Sequence, residues 1–159
     1  MSKNIWGFAQ IKIIKTIMNP NYSKGLSVLD KKKQLRMLSK SRKMYKKDKY
    51  YTRKELPSYK HKTSKHILKA RKIYGTSVLG EELAQKTGCK LSALKEIVRK
   101  GEGAYYSSGS RPNQTPQSWG LARLASAITS GNAAKVDFNI IDKGCDHKKK
   151  AYILAKKRI

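Results

Sequence analysis

The sequence predicts a mainly α-helical protein in which a small helical domain follows an extended basic N-terminal arm. In several windows of the second half, apolar residues recur at helical spacing between capping residues and glycines. The first 72 residues instead carry 22 Lys or Arg against three acidic residues, with little apolar surface from which to build a core. We therefore expect an apolar segment at 1–20, a Lys/Arg-rich arm at 21–72 and the helical domain at 73–159.

The charge of the whole chain points to a polyanionic partner. Lys and Arg number 37 and Asp and Glu ten, which gives a formal net charge of +27. Repulsion among these charges opposes folding, and a bound polyanion would remove that repulsion. Nucleic acid, an anionic membrane and an acidic protein surface all qualify. Binding to nucleic acid would weaken steeply with salt.

The most apolar window lies at residues 5–18, where Lys12 and Lys15 interrupt an otherwise apolar run. As a helix it would show a broad apolar face and a narrow basic stripe. Such a helix packs on the domain or on a neighbouring subunit, or it lies at a membrane surface. The run is shorter than the roughly 20 apolar residues that span a bilayer, and Pro20 ends it.

The arm begins with helical periodicity and then loses it. Asp30 suits a helix start. The leucines around it recur at helical spacing, at Leu26, Leu29, Leu35 and Leu38. From residue 36 to 72, cations are interleaved with four tyrosines, Tyr45, Tyr50, Tyr51 and Tyr59. Tyrosines among cations suit contacts with nucleic-acid bases or with acidic protein grooves. A solvated, mobile tail is the alternative.

Two helical stretches have clear boundaries. Residues 64–75 begin with a capping Ser64 and end at Gly75. Residues 81–100 predict two helices around Gly88, with acidic residues opening the first and cations closing the second. The spacing resembles a helix-turn-helix, and its candidate nucleic-acid contacts would be Lys90, Ser92, Lys95 and Arg99. An ordinary helical hairpin needs the same glycine and small residues, so both interpretations stay open.

A long loop rich in Gly, Ser and Pro is expected at 101–118. We expect polar side chains to fix its backbone, namely Tyr105, Tyr106, Arg111, Asn113 and Gln114. Thr115 and Pro116 then suit the start of a helix, and this helix would carry Trp119 and Arg123. Its face is rich in Ala and Gly, which predicts that another element packs closely against it.

Residues 132–142 fit either a strand or a helix. Val136, Phe138 and Ile140 alternate as they would in a strand. No second strand is evident to pair with them, so a helix is preferred. Residues 148–158 predict a short basic helix.

Residue types that serve catalysis or metal binding are sparse. Cys89 and Cys145 are far apart, and two cysteines do not make a disulfide framework, so we expect both as thiols. Together with His147 they could supply three metal ligands, but zinc sites usually pair ligands at both ends of the motif. No Cys–His pair has an evident orienting group. We therefore expect no enzyme activity, no cofactor and no small-molecule substrate.

The stretch from Leu91 to Lys157 resembles a known family. The resemblance centres on the run 101–131, which includes Arg111-Pro-Asn-Gln-Thr-Pro116, and continues through Ala134–Asp137 to Lys143–Cys145. This region is similar to a domain in small basic proteins of algal large DNA viruses, with looser relatives in tailed phages. That domain has no established activity. The resemblance implies a virion component of the minor capsid protein type, and residues 1–72 have no part in it.

The resemblance and the charge together predict a structural protein of the virion. It would link capsid subunits beneath the outer shell and contact the major capsid protein and other minor capsid proteins. Made in the host cytoplasm, it would end in the capsid interior, where DNA and the inner membrane surface are further candidate partners. The alternative is a DNA-binding protein that uses the hairpin at 81–100 and a non-specific basic arm. Most cations lie outside that hairpin, which favours the structural role.

Overall fold

The structure, a computed structural model, describes residues 19–159, and the regular secondary structure in that range is helical. This confirms the predicted mainly α fold. In the described range a 3₁₀ turn at Pro20–Tyr22 precedes eight helices, α1 (Val28–Tyr45), α2 (Lys65–Tyr74), α3 (Glu81–Thr87), α4 (Leu91–Ser107), α5 (Pro116–Ile128), α6 (Asn132–Val136), α7 (Phe138–Gly144) and α8 (Lys150–Lys156). None of them is long and apolar enough to span a bilayer. The apolar window predicted at 5–18 lies outside the described residues.

The described residues form two compact units. The first unit contains the residues up to His61 together with Ala104–Thr115. The second unit contains Lys62–Gly103 and Pro116–Ile159. The first unit therefore holds α1 and the last residues of α4, and the second unit holds the other helices. The boundary that we expected near residue 72 does not coincide with this division, because residues 104–115 group with the N-terminal part of the chain.

The basic run 21–72 contains α1, where the leucine spacing indicated a helix, and most of α2. In the first of these, α1, Ser27 is the N-cap, and its hydroxyl accepts a hydrogen bond from the amide of Asp30 at 3.2 Å. Leu35 and Leu38 are buried, as their helical spacing indicates, but Leu29 is 64% exposed. Beyond α1 the chain lacks regular structure as far as α2. The described part of the basic run up to His61 therefore belongs to a compact unit.

The first unit has a core because residues 104–115 add to it. Leu56 is buried within the irregular segment after α1. Tyr105 and Ser110, which belong to residues 104–115, are fully buried. Composition over 21–72 alone cannot reveal this contribution. The deficit of apolar residues is met by buried polar groups, of which Arg53 is the largest.

The second unit has an apolar core built around the predicted hairpin. Four apolar residues of its two helices are buried, Leu83, Leu94, Ile97 and Val98. Gly88 forms the turn between α3 and α4 with φ +77°, a left-handed conformation that glycine adopts readily. Elsewhere in the unit, the hydroxyl of Tyr74 donates to the carbonyl of Ile128 at 2.5 Å, and burial raises the pKa of Tyr74 above its ordinary value.

Local capping signals are confirmed in the second unit. The Ser64 hydroxyl accepts from the amide of His66 at 3.2 Å, and Gly75 ends α2 with φ +76°. Helix α5 begins at Pro116. Residues 132–142 are helical, as we preferred, and are divided between α6 and α7.

The predicted loop at 101–118 is shorter in the structure, because α4 continues to Ser107. The reason lies in the packing of α4 against α5. A Cβ atom at Gly101 would lie only 2.5 Å from the Cα atom of Gly120 in α5. Gly101 therefore serves a close helix contact rather than a loop. The Ala- and Gly-rich face of α5 has the close packing partner that its composition predicted.

This close approach gives the first prediction. A Cβ at Gly120 would lie 2.6 Å from the carbonyl oxygen of Val98, so Gly120→Ala is expected to lower the free energy of unfolding by about 1–3 kcal/mol. Gly103→Ala is the matched control, since a Cβ there meets nothing within 4 Å. The control should stabilise α4 by up to about 1 kcal/mol. Denaturant unfolding followed by circular dichroism measures both, and equal stability of the two variants would contradict the packing.

Cys89 and Cys145 form a disulfide and are not the two thiols that the sequence led us to expect. The two residues face each other in an isolated antiparallel bridge. The amide of Lys90 donates to the carbonyl of Gly144 at 2.8 Å, and the amide of Asp146 donates to the carbonyl of Gly88 at 2.8 Å. The bond therefore fastens the turn between α3 and α4 to the end of α7. A separation of 56 residues gives no local sequence signal of this pairing.

Candidate macromolecule-binding surfaces

The first unit contains a buried arginine that the sequence analysis did not single out. Arg53 is 7% exposed. Its Nη1 donates to Ser41 Oγ at 3.0 Å and to the Tyr105 carbonyl at 2.9 Å, and its Nη2 donates to Ser110 Oγ at 2.7 Å. Burial lowers the pKa of Arg53 below its ordinary value, although a guanidinium stays protonated in proteins. Arg53 thus ties α1 to the segment 104–115.

No feature of the sequence distinguishes Arg53 from the neighbouring cations. Two of its partners, Tyr105 and Ser110, lie 52 and 57 residues further along the chain. A pattern search over short windows cannot detect such pairs. The nearest hint is Leu56, an apolar residue in an otherwise polar stretch, and it is buried in the same unit.

Arg53 also orders the aromatic side chains beside it. Its guanidinium carbon lies 3.7 Å from the centre of the Tyr105 ring, and its amide donates to the Tyr105 hydroxyl at 2.8 Å. The Tyr105 ring meets the Tyr106 ring edge-to-face, with centroids 5.2 Å apart and planes at 89°. The carbonyl of Tyr106 accepts from the hydroxyl of Ser41 at 3.3 Å. Tyr106 is therefore fixed by the Tyr105 ring and by the hydrogen bond from Ser41.

Tyr106 belongs to a surface group of three rings, Tyr45, Tyr50 and Tyr106, which we term the tyrosine cluster. The centroid of Tyr106 lies 5.1 Å from that of Tyr50 and 6.4 Å from that of Tyr45. Tyr45 and Tyr50 are 6.2 Å apart. Tyr50 is 67% exposed and Tyr45 37%. Much of this aromatic surface therefore faces solvent.

Cations flank the tyrosine cluster along the chain. Residues 40–54 contain eight Lys or Arg and a single acidic residue, Asp48. Four of the lysines are exposed close to the three rings in sequence, Lys43, Lys46, Lys47 and Lys49. Lys40 lies 4.4 Å from the centre of the Tyr51 ring, a cation–π contact. The surface combines aromatic faces with ammonium groups, so it can both stack on a planar group and attract an anion.

The short loop after α4 is fixed by Asn113. Its Oδ1 accepts from the amide of Leu56 at 2.7 Å and its Nδ2 donates to the Leu56 carbonyl at 3.2 Å. Arg111 is exposed, and Gln114 is half-buried. The bracing that we expected from Arg111 is performed in the first unit by Arg53.

Arg123, which is partly exposed, forms an ion pair with the buried Asp137 in the second unit. The guanidinium donates through Nε to Oδ2 at 2.7 Å and through Nη2 to Oδ1 at 2.8 Å. Asp137 is fully buried, and the Lys100 ammonium lies 3.7 Å from Oδ1. The hydrogen bond to Asp137 raises the pKa of Arg123. The pair ties α5 to the junction of α6 and α7, and Trp119 lies half-buried one turn before Arg123.

The structure divides the predicted group of loop and helix residues between the two units. Five of the seven lie in the first unit, Tyr105, Tyr106, Arg111, Asn113 and Gln114. The other two, Trp119 and Arg123, lie in the second.

The candidate nucleic-acid contacts of the hairpin are all exposed. Ser92, Lys95 and Arg99 follow one another at helical spacing on one face of α4, and Lys90 precedes the helix. Glu96 shares that face, so its charge is mixed. A groove of about 300 Å³ opens beside the first turn of α4. The arrangement can contact phosphates but offers few groups that distinguish one base from another.

The metal-ligand set that the sequence offered is not assembled. The sulfur atoms of Cys89 and Cys145 are bonded to each other. His147 stacks on Tyr152, with ring centroids 3.9 Å apart. Within residues 19–159, no three His, Cys, Asp or Glu side chains are grouped so as to hold a metal ion.

Comparison with known proteins places the chain in a family without assigning an activity. The model of a family of unknown function, DUF5824, matches residues 20–148, so the chain belongs to that family. No curated protein and no solved structure matches the chain significantly.

Proposed function

We propose that this member of the family is a minor capsid protein, a structural component of a virus particle that links capsid subunits beneath the outer shell. The observation that carries the proposal is the excess of cations in both folded units. The described part of the first unit has 15 Lys or Arg against three acidic residues. The second unit has 19 against seven.

Ion pairs in the described part of the chain include Lys86 with Glu82, and both Lys100 and Arg123 with Asp137. Most other cations are exposed. Their mutual repulsion destabilises the isolated units, and contact with acidic surfaces of neighbouring subunits would relieve it. A protein with this property is more stable in an assembly than alone.

Three adjacent lysines on α1 illustrate the point. Lys31, Lys32 and Lys33 are exposed near the N-terminal end of the helix. Their positive charges repel one another, and an external anionic group would relieve this repulsion. These lysines are therefore our candidate contacts with a capsid neighbour.

The resemblance of the run 101–131 to minor capsid proteins of algal large DNA viruses supports the choice of a virion. The same run supplies segment 104–115 of the first unit and most of α5 in the second. The region of resemblance thus contributes to both charged units. We expect the contacts to be made by folded surfaces rather than by a threaded arm.

The second prediction tests this function. Genome-free shells of the virus that encodes the chain are mixed with the purified full chain and sedimented at several salt concentrations. We expect salt-dependent co-sedimentation, reduced several-fold by the triple substitution Lys31→Gln, Lys32→Gln, Lys33→Gln. The matched control replaces the same lysines by arginine, which keeps the charge and should retain binding. Failure of the unmodified chain to sediment with shells would refute the proposal.

One observation favours a second candidate, a DNA-binding protein. Ser92, Lys95 and Arg99 present one exposed face of α4 after the glycine turn, as a recognition helix does. Most cations of the second unit lie outside this face, which is why the candidate stays second. It predicts that the chain partitions with the genome when a particle is opened.

A further inference from the structure

We infer that the tyrosine cluster of the first unit binds single-stranded nucleic acid, stacking unpaired bases on its rings while the nearby lysines contact the phosphates. The inference goes beyond a capsid-linking role and does not depend on it. It rests on three observations, namely the exposure of the rings, the charge around them and the rigidity of their support.

The exposure of the rings is the first observation. Tyr50 is 67% exposed and Tyr45 37%, although the same unit fully buries Leu38 and Tyr105. Large aromatic side chains normally gain stability by leaving water. Three rings within 5.1–6.4 Å of one another form a continuous aromatic surface. Such a surface is the element on which successive bases stack in proteins that bind single strands.

The charge around the rings is the second observation. Lys43, Lys46, Lys47 and Lys49 are exposed and interleaved with Tyr45 and Tyr50 along the chain. Within residues 19–159, none of these four ammonium groups lies in an ion pair with a carboxylate. They are therefore available for phosphates, whose neutralisation releases counterions. Lysines that neighbour the rings in sequence can contact phosphates while bases stack on the rings.

The support beneath the rings is the third observation. Tyr106 is packed edge-to-face on Tyr105, and Tyr105 is held by Arg53 through its ring, its hydroxyl and its carbonyl. A ring fixed before binding loses little side-chain entropy when a base stacks on it. The buried arginine thus acts as a positioning residue for this surface.

Unpaired bases fit this surface better than the two other polyanions considered. In a duplex the base faces are stacked on one another, so the tyrosine rings could reach only the sugar–phosphate backbone. An acidic protein surface would satisfy the lysines, but its carboxylates have no aromatic face to stack on the rings. Single strands present both an anion and an aromatic face in every nucleotide.

The third prediction is tested on the full chain by fluorescence anisotropy with two labelled probes. One is a 20-nucleotide oligothymidylate, and the other is an abasic strand with about the same number of phosphates. We expect the base-containing probe to bind about tenfold more tightly, because stacking adds to the phosphate contacts. Tyr50→Leu should remove most of that preference, and Tyr50→Phe, which keeps the ring, should retain it.

Two outcomes would overturn the inference. One is equal affinity of the unmodified chain for both probes, which would leave only counterion release. The other is that an oligoglutamate peptide displaces the oligothymidylate, and that this displacement is lost in Tyr50→Leu. That result would identify an acidic protein as the partner. Tyr50 is largely exposed, so a folding defect is not expected, and circular dichroism of each variant checks this.

Discussion

Replacing Arg53 by alanine is expected to lower the free energy of unfolding of the first unit by about 3–4 kcal/mol. The substitution removes three hydrogen bonds from a buried guanidinium, to Ser41, Tyr105 and Ser110, and a cation–π contact with the Tyr105 ring. Each buried acceptor left without a donor costs roughly 1–3 kcal/mol.

Hydrogen exchange measured by mass spectrometry shows whether the lost stability belongs to the first unit. Amides of α1 should exchange much faster in Arg53→Ala, while those of α5 keep their protection. Arg53→Lys keeps the charge but not the planar fork, and should fall between the alanine variant and the native chain. Arg36→Ala, an exposed arginine on α1, is the control and should stay within about 0.5 kcal/mol of the native chain. Unchanged protection of α1 in Arg53→Ala would show that the network contributes little.

Removing the disulfide is the second substitution with a large expected effect. Cys89 and Cys145 close a loop with a sequence separation of 56 residues. Restricting the unfolded chain by a loop of this length stabilises the folded state by about 4 kcal/mol in the chain-entropy model. The double variant Cys89→Ser, Cys145→Ser is therefore expected to unfold at markedly lower denaturant concentration.

A reductant supplies the matched control for that experiment. It should lower the stability of the native chain to that of the double variant and leave the double variant unchanged. Thiol titration of the denatured, unreduced protein should find no free thiol at Cys89 or Cys145. Two titratable thiols together with stability that is insensitive to reductant would contradict the bond.

Signals that are local in sequence gave correct predictions. Ser64 and Gly75 mark the ends of α2 because a cap needs only residues within one turn of the helix end. The two helices around Gly88 were predicted for the same reason, since the charges that open the first helix and close the second lie within a short window. The alternation at 132–142 was resolved towards a helix by the lack of a strand partner.

Features that depend on distant residues were not predictable in this way. The folded first unit needs residues 104–115, which come after most of α4 in sequence. Gly101 suggested a loop, because the glycine that it contacts, Gly120, is nineteen positions away. The same holds for the candidate site. The sequence indicated that the tyrosines and lysines of the basic run could form a contact surface. It did not indicate that Tyr106 would pack against these tyrosines or that Arg53 would support the group.

We propose that this chain is a structural component of a virus particle, and fractionation of purified particles tests that proposal most directly. Particles of the encoding virus are opened, treated with nuclease, washed with salt and analysed by mass spectrometry fraction by fraction. We expect the chain to remain with the protein shell after the genome is removed, at a fixed ratio to the major capsid protein. Its absence from the particle, or its complete release with the DNA, would contradict the claim.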